Sequence, residues 1–377
     1  MAELKVLSVF GTRPEAIKMA PLALELNRHP EIKSYVCVTA QHRELLDGVL
    51  QVFGIVPDYD LNIMAAGQSL SDVTIRVLRR LEQTLREVQP DLVLVHGDTT
   101  TSFAGALAAF YAGIPVGHVE AGLRSGDPRS PFPEEMNRRL TADLATFHFA
   151  PTAANRDNLR NEGVTENVFV TGNTVIDAMR YTVGDEHTDK EASGSGRRLI
   201  VLTCHRRENY GEPMENIFHA VRDIALRFDD VEFVYPVHPA PTVREAAGRI
   251  LGNVPHVQLV EPLDAVEMHR LMARSYMVMT DSGGLQEEAP ALGKPVLVLR
   301  RETERPEAIA AGTAKLAGVD REVITALASE LLLDSAKYAQ MANAVNPYGD
   351  GNACKRIADA ILYGFSRRET PPEEFRP

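Results

Sequence analysis

Short apolar runs in the first half of the chain alternate with longer stretches of helical character. The run Leu4–Phe10 is rich in Val and Leu, which is typical of a strand buried on both faces. A turn at 11–13 follows, and Pro14 stands where a helix would begin, a position that favours proline because the first helical N–H has no partner. The same rhythm predicts a helix at 101–111 and further strands at 35–40, 91–96, 115–119, 148–150 and 167–170. This alternation predicts a parallel sheet with helices on both faces.

A polar segment, DEHTDKEASGSGRR at 185–198, interrupts this rhythm and contains no large apolar residue. We interpret it as an exposed loop at the start of a second domain. The alternation then resumes, with helices predicted at 264–274 and 285–292 and strands at 198–203, 231–237, 257–260, 276–280 and 295–299. The expected fold class is therefore α/β, with two doubly wound Rossmann-like domains that face a cleft. Ligands of such sheets bind beyond the carboxyl ends of the strands, so the cleft is the expected site.

The predicted domain limits follow from these breaks in the pattern. We place the first domain at 1–172, the second at 173–351 and a tail at 367–377. The last residues, Thr370–Pro377, carry too little apolar surface to fold by themselves, so we expect the end of the chain to be frayed.

Composition narrows the class of protein. The length of 377 residues fits two or three domains, and 44% hydrophobic with 24% charged residues is ordinary for a packed globular protein. A formal net charge of −12 makes the chain a poor general binder of nucleic acid. Cys37, Cys204 and Cys354 are far apart and form no CxxC pair, which argues against a disulfide framework and a structural zinc site. No signal peptide or membrane span is evident, so a soluble cytoplasmic protein is the expectation.

The first strand-end segment with chemical potential is Gly11–Lys18. Arg13 stands at the start of the predicted helix, and Lys18, one turn in, leans back toward the same space. Exposed N–H groups, the helix dipole and two cations would suit a diphosphate. Taken alone, the segment is better explained as a solvated basic start of a helix.

Two further segments supply carboxylates in the first domain. Asp98 directly follows an apolar strand and precedes a helix, so a capping role and a catalytic role are both open, and they are compatible. Glu120 interrupts the end of an apolar strand, which is costly unless the carboxylate meets a partner or a ligand. Glu134 and Glu135 can be first-turn acids favoured by the helix dipole, but the long loop before them, rich in Gly and Pro, is typical of functional loops.

The second domain offers two candidate phosphate segments. His205 lies beside Arg206 and Arg207 at the end of a strand, and arginine forks match phosphate oxygens in pairs. The segment 281–288, DSGGLQEE, follows a strand and opens a helix, and its small residues Ser282, Gly283 and Gly284 would let backbone N–H groups approach phosphate closely. Glu288, one turn in, could accept hydrogen bonds from ribose hydroxyls. The alternative is an ordinary tight turn between a strand and a helix.

Ten ordered motifs extend over nearly the whole chain. No GxGxxG follows a strand, and no Walker, HExxH or GxSxG motif is present. The motifs are FGTRPEAIKMAPL (10–22), TAQHRELLD (39–47), PDYDLNIM (57–64), VHGDTTTS (95–102), HVEAGLRS (118–125), TGNTVIDA (171–178), HRRENYG (205–211), TDSGGLQEEAP (280–290), ERPEA (304–308) and NPYGDG (346–351). Together these motifs resemble the non-hydrolysing UDP-N-acetylglucosamine 2-epimerases of bacteria. One local departure from that family is Cys204, where a smaller or aliphatic residue is expected.

The resemblance implies a glycosyltransferase-B-like fold in which the last helix, 352–366, packs back on the first domain. It implies elimination of UDP to a 2-acetamidoglucal and its return, with no nicotinamide, other cofactor or metal. Proton transfers would fall to Asp98, Glu120 and Glu134, and His205 with Arg13 and Lys18 would assist the leaving UDP. Ser282, Gly283, Gly284 and Arg207 would hold phosphate, Glu288 would hold ribose, and Arg305 would be a further cleft residue. Family members are typically homodimers, and some bind a second substrate molecule as an activator, near Gln41, His42 and Arg43 here.

Three alternatives remain at this point. A glycosyltransferase of the same architecture would use the same nucleotide site, but three carboxylates in the first domain exceed what it needs. A nucleotide-sugar sensor without turnover would not need the set Asp98, Glu120, Glu134 and His205. A hydrolysing 2-epimerase would release N-acetylmannosamine and UDP.

Overall fold

A computed structural model describes residues 3–39, 43–65, 67–183 and 196–377. The chain folds as two compact units, one made of Met1–Tyr181 with Tyr348–Arg376 and the other of Thr182–Pro347. The predicted polar loop at 185–198 falls largely outside the described residues, which resume at Gly196.

The first unit contains a seven-stranded parallel sheet in the order β3-β2-β1-β4-β5-β6-β7. Its strands are β1 (Leu4–Phe10), β2 (Ile32–Val38), β3 (Tyr59–Asp60), β4 (Leu92–His96), β5 (Val116–Val119), β6 (Phe147–Ala150) and β7 (Val168–Val170). Every residue of β4, β5 and β6 is buried, as expected where helices cover both faces. The strand order reverses between β1 and β4, which places a topological switch point at their carboxyl ends.

The helices that alternate with these strands in the described part of the chain are α1 (Arg13–Leu26), α2 (Arg43–Val52), α3 (Leu70–Val88), α4 (Thr100–Tyr111), α5 (Glu134–Leu144), α6 (Ala153–Asn161) and α7 (Thr174–Thr182). α1 begins with a capping box, in which the Thr12 hydroxyl accepts a hydrogen bond from the N–H of Glu15 and the Glu15 carboxylate accepts one from the N–H of Thr12. α4 is capped by the Thr99 hydroxyl, which accepts from the N–H of Ser102 at 3.1 Å. The helix starts therefore lie next to the carboxyl ends of β1 and β4.

The second unit repeats the architecture with a six-stranded parallel sheet in the order β10-β9-β8-β11-β12-β13. The strands are β8 (Arg198–Thr203), β9 (Val231–Pro236), β10 (Val257–Val260), β11 (Met277–Thr280), β12 (Val296–Val298) and β13 (Ala314–Leu316). The helices are α8 (Glu212–Arg227), α9 (Pro241–Leu251), α10 (Ala265–Arg274), α11 (Gly283–Ala291), α12 (Pro306–Ala310), α13 (Arg321–Leu333) and α14 (Ser335–Ala342). The switch point lies between β8 and β11. The predicted α/β class with two doubly wound units is confirmed.

The boundary between the units differs from the predicted one at residue 172, because α7 still belongs to the first unit. The last helix, α15 (Ala353–Gly364), packs against α1, and the Asp177 carboxylate of α7 accepts hydrogen bonds from the N–H groups of Ala353 and Cys354 at 3.1 and 3.0 Å. Burial raises the pKa of Asp177 despite these hydrogen bonds. A carboxylate on α7 thus caps α15, and this interaction keeps both helices with the first unit.

The end of the chain is ordered, so the expectation of a frayed tail was wrong. Phe375 is 5% exposed, and its N–H donates to the carbonyl oxygen of Val170 at the end of the edge strand β7. The guanidinium of Arg356 on α15 lies 5.5 Å from the centre of the Phe375 ring. The buried Phe375 ring, its backbone hydrogen bond and an ion pair between Glu374 and Arg156 thus hold a segment that is otherwise polar.

Candidate functional site

Glu120 lies at the carboxyl end of β5 with its backbone at a φ of +61°, an uncommon value for a residue with a side chain. Its Oε2 atom accepts hydrogen bonds from the Lys18 ammonium and, at 3.1 Å, from the Asn173 amide, while Nε2 of His96 is 3.6 Å away. Burial by itself would raise the pKa of Glu120, but the charge of Lys18, helped by His96, outweighs it and holds the pKa well below its usual range. Glu120 is therefore an ionised carboxylate fixed by one of its two oxygens.

Asp98 follows β4, the neighbouring strand, and is held in a comparable way. The Arg138 side chain on α5 donates to its Oδ2 from Nη2 at 2.6 Å and from Nε at 3.0 Å. The Asp98 side chain retains 26% exposure. The helix that follows is capped by Thr99 and not by Asp98, so the capping alternative does not hold and the Asp98 side chain is available for chemistry.

The two adjacent acids at the start of α5 have different environments. Glu135 is fully buried and accepts hydrogen bonds from the loop N–H groups of Ser125 and Gly126 at 3.0 and 3.4 Å. Burial tends to raise its pKa, but these N–H groups and Arg138 together lower it. Glu134 is partly exposed and forms no hydrogen bond or ion pair with any other described residue. The structure thus gives Glu135 an internal anchoring role, whereas Glu134 stays a candidate for contact with a ligand.

The N-terminus of α1 differs from the predicted diphosphate cradle. The Glu15 carboxylate accepts from the N–H groups of Gly11 and Thr12 at 3.0 and 2.7 Å, so those donors already have a partner within the chain. Its other oxygen accepts from the hydroxyls of Thr99 and Ser102 at 2.6 and 2.9 Å, which ties this turn to the turn after β4. Sequence reasoning missed this role of Glu15, although the Thr-x-x-Glu spacing is the signature of a capping box.

The two cations predicted for this segment are used differently. Lys18 pairs with Glu120, whereas Arg13 is partly buried and has no hydrogen bond or ion pair within 3–39, 43–65, 67–183 and 196–377. Arg13 is therefore the cation of this turn that is available to an anionic ligand.

In the second unit, Asp281 at the end of β11 organises the turn after β8. It is fully buried, and its Oδ2 accepts from the N–H groups of His205 and Arg206 at 2.7 and 2.8 Å and from the Asn209 amide at 3.1 Å. The His205 side chain is 36% exposed, with Nδ1 3.3 Å from Asp281 Oδ1. Its ring stacks on His238 at 5.6 Å between centres. Burial lowers the pKa of His205 although Asp281 opposes the shift, so its neutral form is favoured.

The start of α11 carries the predicted small residues. Ser282 occupies the cap position without a side-chain capping hydrogen bond, so its hydroxyl remains available. A side chain at Gly283 would lie 3.1 Å from the Glu304 carboxylate and 3.8 Å from the guanidinium groups of Arg206 and Arg305. A non-glycine residue here would crowd this charged group, and Gly284 is exposed beside it.

The arginines of this unit that were predicted to bind substrate differ in their contacts. Arg206 reaches the start of α11 and lies 3.5 Å from the Glu304 carboxylate, whereas the predicted phosphate ligand Arg207 is exposed and pairs with no described residue. Arg305 forms an ion pair with Glu287. Arg206 thus approaches the start of α11, whereas the side chain of Arg207 forms no hydrogen bond or ion pair with a described residue. Two adjacent arginines in a turn can point in directions that the sequence does not specify.

Glu288 on α11 is supported by a buried histidine that has no signal in the sequence. Nε2 of His269 lies 3.2 Å from Glu288 Oε2, and Nδ1 lies 2.8 Å from the hydroxyl of Thr182. His269 is 1% exposed, so both ring nitrogens depend on these partners. This contact orients the carboxylate that was predicted to bind ribose.

The predicted activator site, Cys204 and the possibility of a metal site or membrane span concern other parts of the chain. Gln41 and His42 lie outside the described residues, as does the side chain of Arg43, so the activator site stays a prediction. Burial, together with the charge of Asp281, raises the pKa of the Cys204 thiol well above its usual range, which disfavours the nucleophilic thiolate form. The described residues contain no group of three or more His, Cys, Asp or Glu side chains that could hold a metal ion. Of the helices that the structure describes, none combines the length and hydrophobicity that crossing a bilayer requires.

Comparison with known proteins places these features in a family. Residues 24–362 match the family described as UDP-N-acetylglucosamine 2-epimerase. A Bacillus subtilis protein named UDP-N-acetylglucosamine 2-epimerase is 56% identical over 377 residues, which cover 100% of this chain and 99% of the relative. The structure of UDP-GlcNAc 2-epimerase from Neisseria meningitidis bound to UDP-GlcNAc is similar at a TM-score of 0.86 and 49% identity, covering 96% of this chain and 100% of the other. At 13% identity, the glycotransferase of kitacinnamycin shares the fold alone, with a TM-score of 0.66 over 96% of this chain and 99% of the other.

Proposed function

The chain belongs to the UDP-N-acetylglucosamine 2-epimerase family, and we propose that it interconverts UDP-N-acetylglucosamine and UDP-N-acetylmannosamine without consuming the nucleotide sugar. The reaction inverts carbon 2 of the hexosamine. The proton on that carbon is not acidic in the ground state, because no carbonyl group is adjacent to it. A catalyst must therefore first change the electronic state of the neighbouring carbon 1.

Departure of UDP from carbon 1 provides that change. As the bond from carbon 1 to the diphosphate oxygen breaks, its electron pair leaves with UDP and carbon 1 gains oxocarbenium character. A carboxylate removes the proton from carbon 2, and the electrons of that bond form the double bond of a 2-acetamidoglucal. Return of a proton to the opposite face of carbon 2, with attack of the UDP oxygen on carbon 1, gives the epimer. The balance is complete with no oxidant, reductant or nicotinamide.

The observation that carries the proposal is the pair of carboxylates at neighbouring strand ends, each held through one of its two oxygens. Glu120 is ionised and held by Lys18, and Asp98 is held by Arg138. Glu134, without an ion pair to any other residue in the described segments, is the third candidate. A route that removes a proton from one face and adds one to the other needs at least two such groups.

The departing diphosphate requires cations and hydrogen-bond donors. We assign these to His205, Arg13 and Lys18, together with the start of α11 at Ser282 and its two glycines. Arg206 joins this set because it approaches Gly283, and Arg207 and Arg305 remain assigned to substrate binding. Glu288, oriented by His269, would accept hydrogen bonds from ribose hydroxyls. The neutral form of His205 can accept a hydrogen bond or, once protonated, donate to the leaving oxygen.

Incubation with UDP-N-acetylglucosamine in deuterated water, followed by proton NMR with no added cofactor, tests the proposal. The expected result is UDP-N-acetylmannosamine with deuterium at carbon 2 and little UDP in solution. Stoichiometric UDP and N-acetylmannosamine would instead identify a hydrolysing 2-epimerase. Absence of both exchange and product would contradict epimerisation and favour a glycosyltransferase that awaits its acceptor.

A matched variant makes the same experiment specific for the carboxylate. Glu120→Gln preserves the size of the side chain and removes the base, so we expect exchange at carbon 2 to fall by about 10²–10⁴-fold. Retention of UDP binding in that variant, measured by calorimetry, would separate loss of chemistry from loss of the nucleotide site.

Three finer assignments accompany this proposal. We place the reaction in the cytoplasm, as a supply of precursors for bacterial surface polysaccharides, and we propose that the protein is a homodimer. An apolar surface on α3 and α4 supports association, because Ile75, Phe110 and Tyr111 are 49%, 57% and 72% exposed. Sedimentation of the purified protein would test the dimer.

Activation by a second substrate molecule near 41–43 would appear as a lag when UDP-N-acetylmannosamine is the sole substrate.

A further inference from the structure

The carboxylates of Asp98 and Glu120 share a pattern of hydrogen bonding that their residue types do not reveal. In Asp98, both Arg138 hydrogen bonds end on Oδ2, and no donor from the described part of the chain reaches Oδ1. In Glu120, the Lys18 and Asn173 hydrogen bonds end on Oε2, and the partner oxygen has no described donor either. Oε1 of Glu120 would lie 3.7 Å from a side chain placed at Gly97, so a glycine borders it. Each carboxylate thus presents one oxygen that is bound and one that is not.

The Arg138 contact departs from the usual arrangement of an arginine and a carboxylate. A guanidinium normally donates to both oxygens in a parallel fork. Here Nε and Nη2 converge on a single oxygen of Asp98, and the remaining Nη1 donates to Oε2 of Glu135 at 3.2 Å. Arg138 is therefore shared between two carboxylates, and this sharing leaves Oδ1 of Asp98 uncovered.

Glu135 makes this geometry rigid. Its side chain is fully buried, and it is also bound by the loop N–H groups of Ser125 and Gly126. The Arg138 side chain is 11% exposed, so water offers little to replace a lost hydrogen bond. A rotation of the Asp98 carboxylate would break two charge-assisted hydrogen bonds to Arg138. The Glu135 contact prevents Arg138 from moving with it.

We propose that Arg138 is a positioning residue for proton transfer at carbon 2, which holds Asp98 by Oδ2 so that Oδ1 is the atom that exchanges the proton. This role rests on the proposed epimerase function. Arginine suits it because its planar fork has donors for two carboxylates at once, whereas a lysine ammonium is a single point of charge. A displacement of about 1 Å in a reacting group can cost on the order of 100-fold in rate, which sets the size of the expected effect.

The chain provides a matched control on the same helix. Arg139 also pairs with the Glu135 carboxylate, at 3.3 Å, but does not contact Asp98. Arg138→Ala and Arg139→Ala therefore each remove one ion pair from Glu135, and the first alone releases Asp98. We expect Arg138→Ala to lower kcat by about 100-fold with KM changed less than about threefold. Arg139→Ala should stay within about threefold of the wild type in both parameters.

Two readouts separate positioning from a general loss of structure. Guanidinium ion added to Arg138→Ala should restore at least about tenfold in kcat, because the small cation can occupy the space left by the side chain. In the background of Asp98→Asn, the Arg138→Ala change should cost less than about threefold, since a residue that acts through Asp98 has little left to orient. If Arg138→Ala melts at a much lower temperature than the wild type, Arg138→Lys, which retains the charge, replaces it in these measurements.

Deuterium incorporation at carbon 2 is the common assay, and its outcomes are distinct. A wild-type protein that incorporates no deuterium would overturn the proposed function and, with it, this role. Wild-type activity with Arg138→Ala no slower than Arg139→Ala would overturn the role of Arg138 alone. The role would also fail if Arg138→Ala caused the same 100-fold loss in the Asp98→Asn background as in the wild type. Rescue by guanidinium together with a non-additive double mutant would support it.

Discussion

The ion pair between Lys18 and Glu120 allows a quantitative prediction about the free energy of unfolding. Lys18→Met keeps the length of the side chain but removes the main counter-charge of a carboxylate that is 14% exposed. Breaking a buried pair by removing one partner typically costs about 3–5 kcal/mol, because the other charge is left uncompensated. Asn173 still donates to Glu120, and both side chains of the pair retain some contact with water, so the cost falls at or just below the lower end of this range. We expect Lys18→Met to lower the free energy of unfolding by about 2–3 kcal/mol near neutral pH.

The sign of the pH dependence follows from the pKa of Glu120. In the wild type the folded-state pKa is lowered, so the carboxylate stabilises the fold above its unfolded pKa, and this contribution is lost as the pH falls through the folded pKa. In Lys18→Met the main cause of that lowering is absent, and burial then raises the pKa. A raised carboxyl pKa favours the fold below the unfolded value and loses that contribution as the pH rises through the folded value. The difference between the two proteins should therefore be large at pH 8 and smaller at pH 5.

Thermal unfolding measures this difference. For a unit of 150–250 residues, 1 kcal/mol corresponds to roughly 2–4 °C in Tm, so Lys18→Met should melt roughly 4–12 °C below the wild type at pH 8. The matched control is Lys355→Met, the same change at an exposed lysine of α15 that pairs with no residue the structure describes, and it should shift Tm by less than about 2 °C. Adding Glu120→Gln to Lys18→Met should recover most of the loss, because a neutral amide needs no counter-charge.

The reasoning would be refuted by either of two results. If Lys18→Met and Lys355→Met melt at the same temperature at pH 8, the pair makes no net contribution. If the difference from the wild type grows as the pH is lowered from 8 to 5, the pKa of Glu120 is not governed by Lys18.

Three further predictions address other parts of the framework. Glu15→Gln replaces one of the two accepting oxygens with a donor. We therefore expect thermal unfolding to show that the free energy of unfolding falls by about 2–4 kcal/mol. An unchanged Tm would contradict the conclusion that this carboxylate connects the turn after β1 to the turn after β4. Gly122→Ala should prevent normal folding, because its Cβ would lie 2.1 Å from a backbone oxygen of α6 and its φ is +87°. The control Gly126→Ala, at a φ of +86° with open space around it, should cost about 1 kcal/mol, and equal damage from both changes would exclude the steric explanation. His269→Phe should weaken UDP binding in calorimetry by about tenfold, because Glu288 loses its buried partner, and an unchanged Kd would remove His269 from the site.

Much of the architecture was determined by the sequence. The alternation of apolar runs with helical segments identified two doubly wound units, because a strand buried on both faces must be apolar along its whole length. The edge strands β3 and β13 were missed, since Tyr59–Asp60 and Ala314–Leu316 are short and carry no apolar run of their own. Placement of Asp98 and Glu120 in one region also followed from sequence, because parallel strands end at the same edge of a sheet.

The partners of those carboxylates were decided by tertiary structure alone. Lys18 and Glu120 are separated by 102 positions, and Asp98 and Arg138 by 40, so no local pattern relates them. Tertiary structure also decided which of two adjacent acids is buried. Glu135 is buried and Glu134 is partly exposed, because successive side chains on a helix are rotated by about 100°. The tail was misjudged because a hydrogen bond between Phe375 and Val170 on the sheet edge holds it. Sequence determines which chemical groups reach the strand ends, whereas packing across the sheet determines which oxygen of each carboxylate is bound and which remains for a substrate.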